Sequence, residues 1–228
     1  MLFGPPIKTC FIVPSALGTH HGVFSLNERL QQTLRTIESI RHFSKGARII
    51  LVETTSLLPQ YRQIVAKSVD IYLYLAEDNI LERAKRAGAK SLGDARALFL
   101  TARLLRTHPR LQPVLYETQI FYKLSARYCL NESFRNHATW GKFRFKRYRT
   151  WRSDGFYPYL VSTRLFGFCS SLVNDLQQIA ESLAHSFLTT DIDIEHGMAL
   201  LIDESRIFWE STLGVFGQTA GNGSFIDE

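Results

Sequence analysis

Three acids and a histidine crowd one short segment of the chain: Asp191, Asp193, Glu195 and His196. Asp191 and Asp193 make the only Asp-x-Asp in the sequence, and carboxylates are the hard oxygen ligands that divalent cations take. The same acids also suit the solvated start of a helix, where negative charge meets the positive end of the dipole. That second reading is the favoured one. Cations gather elsewhere. Lys123 and Arg127 bracket a short polar segment that includes Ser125; either cation can neutralise a phosphate, Arg with a bidentate fork, and either can equally be an ordinary surface residue. Residues 142–152 hold six cations and no acid, interleaved with aromatics. Such a stretch suits an anionic glycan, a membrane surface or single-stranded nucleic acid, and equally an exposed β-ribbon with one aromatic face packed down. Cys10, Cys129 and Cys169 are far apart and form no Cys-x-x-Cys pair, which argues against a disulfide scaffold or a cysteine zinc site and suits a reducing compartment. The adjacent His20 and His21 have no evident third ligand and read as loop residues.

These residues need a frame, and the apolar periodicity supplies one. Residues 8–13 are a short apolar run ending at Pro14. Ser25 with Glu28 offers a capping box, behind which Leu26, Leu30, Leu34, Ile37 and Ile40 recur at helical spacing, with Arg29, Gln32 and Arg35 on the opposite side. A second apolar run at 48–52 completes strand, helix, strand, and a crossover of that length implies a parallel pair. A third strand is predicted at 70–75, helices near 61–68, 80–87, 91–107 and 171–187, and a strand running into a loop over 114–130. The Gly-rich end, 214–228, is expected to wrap the surface or fray. The outcome is one α/β domain over residues 1–228, with a mostly parallel central sheet flanked by helices. In open α/β sheets ligands bind beyond the carboxyl ends of the strands, which singles out residues 14–22, 53–56, 77–78 and 123–127.

Several short motifs then resemble GT-A-type, nucleotide-sugar-dependent glycosyltransferases. They are Pro14-Ser15-Ala16, the helix pattern of residues 32–41 and the Leu-Val-Glu-Thr-Thr-Ser of residues 51–56. Lys90-Ser91-x-Gly93-Asp94-Ala95, the segment 123–128, Thr163-Arg164-Leu165 and Ile194-Glu195-His196 resemble a set of bacterial and phage-borne sugar transferases. The resemblance spans about residues 8–221, and it lies in the order of weak motifs rather than in any one of them. It implies that Pro14, Ser15 and Glu53 hold the nucleoside, with the Glu53 carboxylate accepting from a ribose hydroxyl or base N–H unless it merely caps a turn. It places Lys90, Ser91, Lys123, Ser125, Arg127 and Arg164 with the rest of the donor. Most GT-A enzymes carry a metal-binding Asp-x-Asp after the fourth strand; here Lys123 to Arg127 stand there instead, so no metal or other cofactor is expected. Glu195 is the expected general base for an acceptor hydroxyl, with Asp193 as the alternative; His196 either supports the base or contacts phosphate.

The implied function is sugar transfer from a nucleotide-sugar to a carbohydrate or lipid-linked acceptor in surface polysaccharide synthesis. The alternative on the same fold is a non-catalytic nucleotide- or sugar-binding protein. Nucleic acid is a weaker partner: of 27 cations, six lie in residues 142–152, leaving 21 against 21 acids, and no nucleic-acid-binding motif accompanies them. The opening residues lack a charged n-region and a long apolar core, unlike a signal peptide. No stretch approaches the roughly 18 apolar residues of a membrane span. The expectation is a cytoplasmic protein, soluble or peripheral to the inner face of a membrane through residues 142–152.

Overall fold

Strands that are apolar on both faces belong in a parallel sheet covered on both sides, and residues 9–124 supply four parallel strands. The computed structural model describes residues 8–137, 141–150, 159–190 and 192–228. β1 (Thr9–Ser15), β2 (Arg48–Glu53), β3 (Ile71–Tyr74) and β4 (Ile120–Leu124) lie in the order β3-β2-β1-β4, all parallel. Alternate residues face opposite cores. Cys10, Ile12, Ile50, Val52 and Phe121 pack with Leu98 and Leu176, whereas Phe11, Val13, Ile49, Leu51 and Tyr122 pack with Leu30, Ile37 and Ile40. Leu30, Ile37 and Ile40 belong to α1 (Leu26–Phe43), whose capping box forms as the sequence predicts: the Ser25 hydroxyl accepts from the Glu28 N–H, and the Glu28 carboxylate accepts from the Ser25 N–H at 2.7 Å.

α2 (Pro59–Ser68) leads into β3, and α3 (Asn79–Ala87) and α4 (Lys90–Thr107) follow it. Asp78 caps α3 and pairs with Arg96 of α4 at 2.7 Å, which fixes the two helices together. Residues 114–130, predicted as strand and loop, begin differently: α5 (Gln112–Glu117) precedes β4. Pro113 in its first turn suits a helix start, and so short an apolar run cannot separate helix from strand by periodicity. After β4 come β5 (Tyr128–Leu130), β6 (Phe143–Arg149), β7 (Tyr159–Val161) and β8 (Leu165–Cys169), then α6 (Val173–Ser186), α7 (Ile194–Leu201) and β9 (Ile207–Glu210). β8 lies antiparallel beside β4, β6 beside β8, and β6 also pairs with β7 and β9.

The basic segment departs most from its sequence reading. β6 is paired on both edges. Its first three residues, Phe143, Arg144 and Phe145, are all buried, so both faces are covered there and no exposed alternation begins before Lys146. Arg144 is 5% exposed. Its Nε donates to Glu210 at 2.6 Å, and its other nitrogens reach the Tyr122 hydroxyl and the His137 carbonyl. Arg147 is exposed but stacks on the rings of Tyr159 and Trp209, 4.3 and 4.2 Å from their centroids, and pairs with Glu204. Several cations offered to a membrane or anionic acceptor are thus committed within the protein; Trp151 and Arg152 lie outside the described residues. Among those residues no helix is long and apolar enough to cross a membrane.

The C-terminal segment forms two strands, β10 (Val215–Gln218) and β11 (Phe225–Asp227), and β10 pairs with β5. Gly214 lets this segment turn in: its φ is 69° and a Cβ there would lie 2.2 Å from the Phe134 nitrogen.

Arg144→Met would leave the largely buried Glu210 carboxylate, 15% exposed, without its arginine partner, and is expected to lower the unfolding free energy by about 2–4 kcal/mol. Arg149→Ser, on the exposed end of the strand, is expected to stay within about 0.5 kcal/mol. Urea titration of the two variants checks this. A loss below about 1 kcal/mol for Arg144→Met would assign that cation to the surface.

Candidate functional site

The carboxyl ends of β1, β2 and β4 open onto two adjoining cavities of about 300 and 70 Å³. The larger reaches Thr19, Lys85, Gly88 and Lys90; the smaller reaches Pro14, Ser15 and Ser125. Ala16, Arg29, Thr54, Asp94 and Arg127 line both. The C-terminal segment closes one side. Ala220 and Gly221 line the larger cavity, and the Ala220 carbonyl accepts from the Val23 N–H at 3.2 Å. Gly22 permits that approach: its φ is 89°, and a Cβ there would meet the Ala220 oxygen at 2.5 Å.

Next to Ser125, which lines the smaller cavity, lies a buried ammonium; neither it nor Glu195 lines either cavity itself. Lys123, at the end of β4, is 3% exposed. Its Nζ donates to the Ser125 hydroxyl at 2.8 Å and to the Thr163 carbonyl. Burial pulls its pKa down to about 8; the Asp94 and Glu195 carboxylates hold it up, while Lys90 and Arg127 push it lower. The Thr163 hydroxyl donates to Glu195 Oε1 at 2.7 Å, so one residue joins the ammonium to the carboxylate. Ser91 docks the start of α7 onto α4, its hydroxyl accepting from the Ile194 N–H at 3.3 Å. The structure therefore brings Lys90, Lys123, Ser125, Arg127 and Glu195 into one electrostatic neighbourhood.

Other expected ligand residues make hydrogen bonds within the protein. Glu53 is fully buried and lines neither cavity. Its carboxylate accepts from the N–H groups of Leu17 and Thr55, at 3.3 and 2.9 Å, and from the Thr55 hydroxyl. Burial raises its pKa against the pull of those hydrogen bonds. It ties the loop after β1 to the end of β2. Asp193 caps α7 through the His196 N–H at 2.9 Å, and its oxygens lie 2.7 and 2.9 Å from His196 Nδ1. His196 is fully buried, with its Nε2 2.9 Å from the Thr150 hydroxyl. Neither lines the two cavities. Arg164 lies outside both cavities, and its guanidinium donates to Glu228 at 2.6 Å. Asp191, the other half of the Asp-x-Asp, lies outside the described residues. Among those residues no group of three His, Cys, Asp or Glu gathers as a metal site. At the end of β4 the donor set is an ammonium with a hydroxyl, which does not fit a divalent cation.

Sequence reasoning missed Arg29, Lys85 and Asp94 as lining residues. Arg29 was assigned to the outer side of α1, yet it is only 8% exposed. The available signal was position: it lies in the first turns of the helix that follows β1, beside the expected ligand crevice.

No family model matches the sequence, and no curated protein matches it. Solved structures do share its architecture. Core-mannan synthase A (CmsA/Ktr4) from Aspergillus fumigatus, in its Mn/GDP form, is similar with a TM-score of 0.54 and 9% identity, over 94% of this chain and 75% of that one. The mannosyltransferase Ktr4p from S. cerevisiae gives 0.52 and 10% identity over 89% and 68% of the two chains. A glycosyltransferase involved in the glycosylation of the major capsid of PBCV-1 gives 0.50 and 10% identity over 90% and 84%. At such identities the shared property is the fold. The chain shares the GT-A-type fold of these structures.

Lys123 sets a pH dependence with a definite sign. Its folded pKa lies below the ordinary value of 10.5, so between about pH 8 and 10.5 the unfolded chain binds the extra proton and stability rises with pH. Relative to Lys123→Met, the wild type is expected to gain up to about 1.4 kcal/mol per pH unit in that window, measured by urea unfolding at each pH. Parallel curves for the two proteins would place the ammonium in contact with water.

Proposed function

We propose that the protein transfers a hexose from a nucleotide-sugar to a hydroxyl of a carbohydrate or lipid-linked acceptor, in surface polysaccharide synthesis and without a metal ion. The observation that carries this reading is the cation-lined crevice at the carboxyl ends of β1, β2 and β4. Glu195, which does not line it, is joined through Thr163 to the Lys123 ammonium, whose other partner, Ser125, lines the smaller cavity. The fold lends support, and the mannosyl names of two structural neighbours favour a hexose.

The chemistry follows from the residues. The bond between the sugar's anomeric carbon and the phosphate oxygen breaks, and the nucleoside diphosphate departs with the electron pair. Lys123 and Arg127 supply positive charge near that developing anion, the task that fixed cations perform best in a water-poor site. The acceptor oxygen forms the new bond to the anomeric carbon while its proton passes to Glu195. Asp94, which lines both cavities, is suited to accept hydrogen bonds from sugar hydroxyls.

A thermal-shift panel of UDP-, GDP-, dTDP- and CMP-sugars identifies the donor, since a ligand at a hundred times its Kd stabilises by about 2.7 kcal/mol. With that donor, Glu195→Gln is expected to reduce turnover by about 10²–10⁴ with donor affinity unchanged. Asp94→Asn is expected to weaken donor binding instead. Glu195→Gln retaining more than about a tenth of the turnover would move the base elsewhere, and failure of every donor to bind would sink the transferase reading.

A further inference from the structure

We infer that Arg29 and Arg127 form a two-guanidinium clamp for a diphosphate, so that the site selects nucleoside diphosphate donors over monophosphate-linked ones; as a donor site this rests on the reading above. Position comes first. Arg29 rises from α1 and Arg127 from the turn between β4 and β5, and both line the larger and the smaller cavity. Among the described residues they are the only cations in the lining of the smaller one.

Their partners come second. Arg29 is buried, and its Nε and Nη2 donate to the carbonyls of Phe24, at 3.1 Å, and His21. Both acceptors are neutral, so they orient the guanidinium without compensating its charge. Burial lowers its pKa and the Arg127 charge lowers it further, while the exposed Glu28 carboxylate raises it. Arg127 lies near the ring of Tyr128, 5.2 Å from its centroid, and its buried Nε has no hydrogen-bond partner.

Buried donors are ordinarily satisfied and buried charges ordinarily paired. Two like charges with an unsatisfied donor, set into one crevice, are costly without an anion and are relieved by one. The planar fork of each side chain matches phosphate oxygens, and a diphosphate offers one phosphate to each fork. The acid in the lining, Asp94, stands 3.8 Å from the Lys90 ammonium, and among the described residues four cations, Arg29, Lys85, Lys90 and Arg127, line the larger cavity against it. Gly22 belongs to the same device, because a Cβ at that position would sit 3.1 Å from Arg29 Nη2.

Calorimetric titration in EDTA tests the clamp with inorganic pyrophosphate and orthophosphate as probes. The wild type is expected to bind pyrophosphate at least tenfold more tightly than orthophosphate. Arg29→Gln and Arg127→Gln are each expected to weaken pyrophosphate binding by about ten- to a hundredfold, as loss of a charge-assisted hydrogen bond does. The double variant is expected to lose less than the product of the two, because both groups serve one ligand. Should Arg29→Gln not fold, Arg29→Lys, which keeps the charge and loses the fork, is expected to show the same loss. Wild-type indifference to pyrophosphate, or unchanged affinity in a folded Arg29 variant, would overturn the clamp. If the nucleotide-sugar panel binds wild type and Arg29→Gln alike, the clamp falls and the donor reading stands. If pyrophosphate binding depends on both arginines while no nucleotide-sugar binds, the clamp stands and the donor reading falls.

Discussion

The ammonium of Lys123 is the constraint around which the site is arranged. A charge taken from water needs hydrogen-bond partners and opposite charge nearby, and Lys123 draws these from three parts of the chain. Ser125 comes from the turn after β4, Thr163 from the segment between β7 and β8, and the fields of Asp94 and Glu195 from the starts of α4 and α7. Because Thr163 serves the ammonium with its carbonyl and Glu195 with its hydroxyl, the position of the carboxylate is tied to that of the buried cation. The remaining tethers act around this point: Ser91 holds α7 to α4, and Glu53 holds the loop that bears Ala16 and Leu17.

The sequence made the parallel half of the fold legible because its signals are local. Apolar runs, the Ser25–Glu28 box and a helix-length crossover each fix an element without reference to the rest of the chain. What it concealed depends on neighbours far along the chain. Residues 143–145 read as part of an exposed ribbon because Arg144 looks like a surface cation; its burial depends on Glu210, 66 residues on. The same holds for Arg29, whose surroundings include Ala220 and Gly221 at the far end of the chain.

The candidate site shows the same division. Residue types near strand ends pointed to the place where the structure forms a crevice; Ser125 and Arg127 line it, and Lys123 donates to Ser125. Which polar side chains face a ligand and which hold the frame could not be read from type alone. Glu53, Asp193 and His196 have the chemistry of ligand or catalytic groups, yet each is spent on internal hydrogen bonds. Arg29 and Asp94, ordinary members of helix patterns, line the cavities.

The proposed account gives the donor's negative charge to protein cations, on a fold that a structural neighbour displays in a Mn/GDP form. It is tested most directly by measuring the affinity of the preferred nucleoside diphosphate in EDTA and again with excess Mn²⁺. Protein cations in the role of the metal predict equal affinities in both buffers. A loss above about tenfold in EDTA, roughly 1.4 kcal/mol, would contradict the account and return the diphosphate to a metal ion.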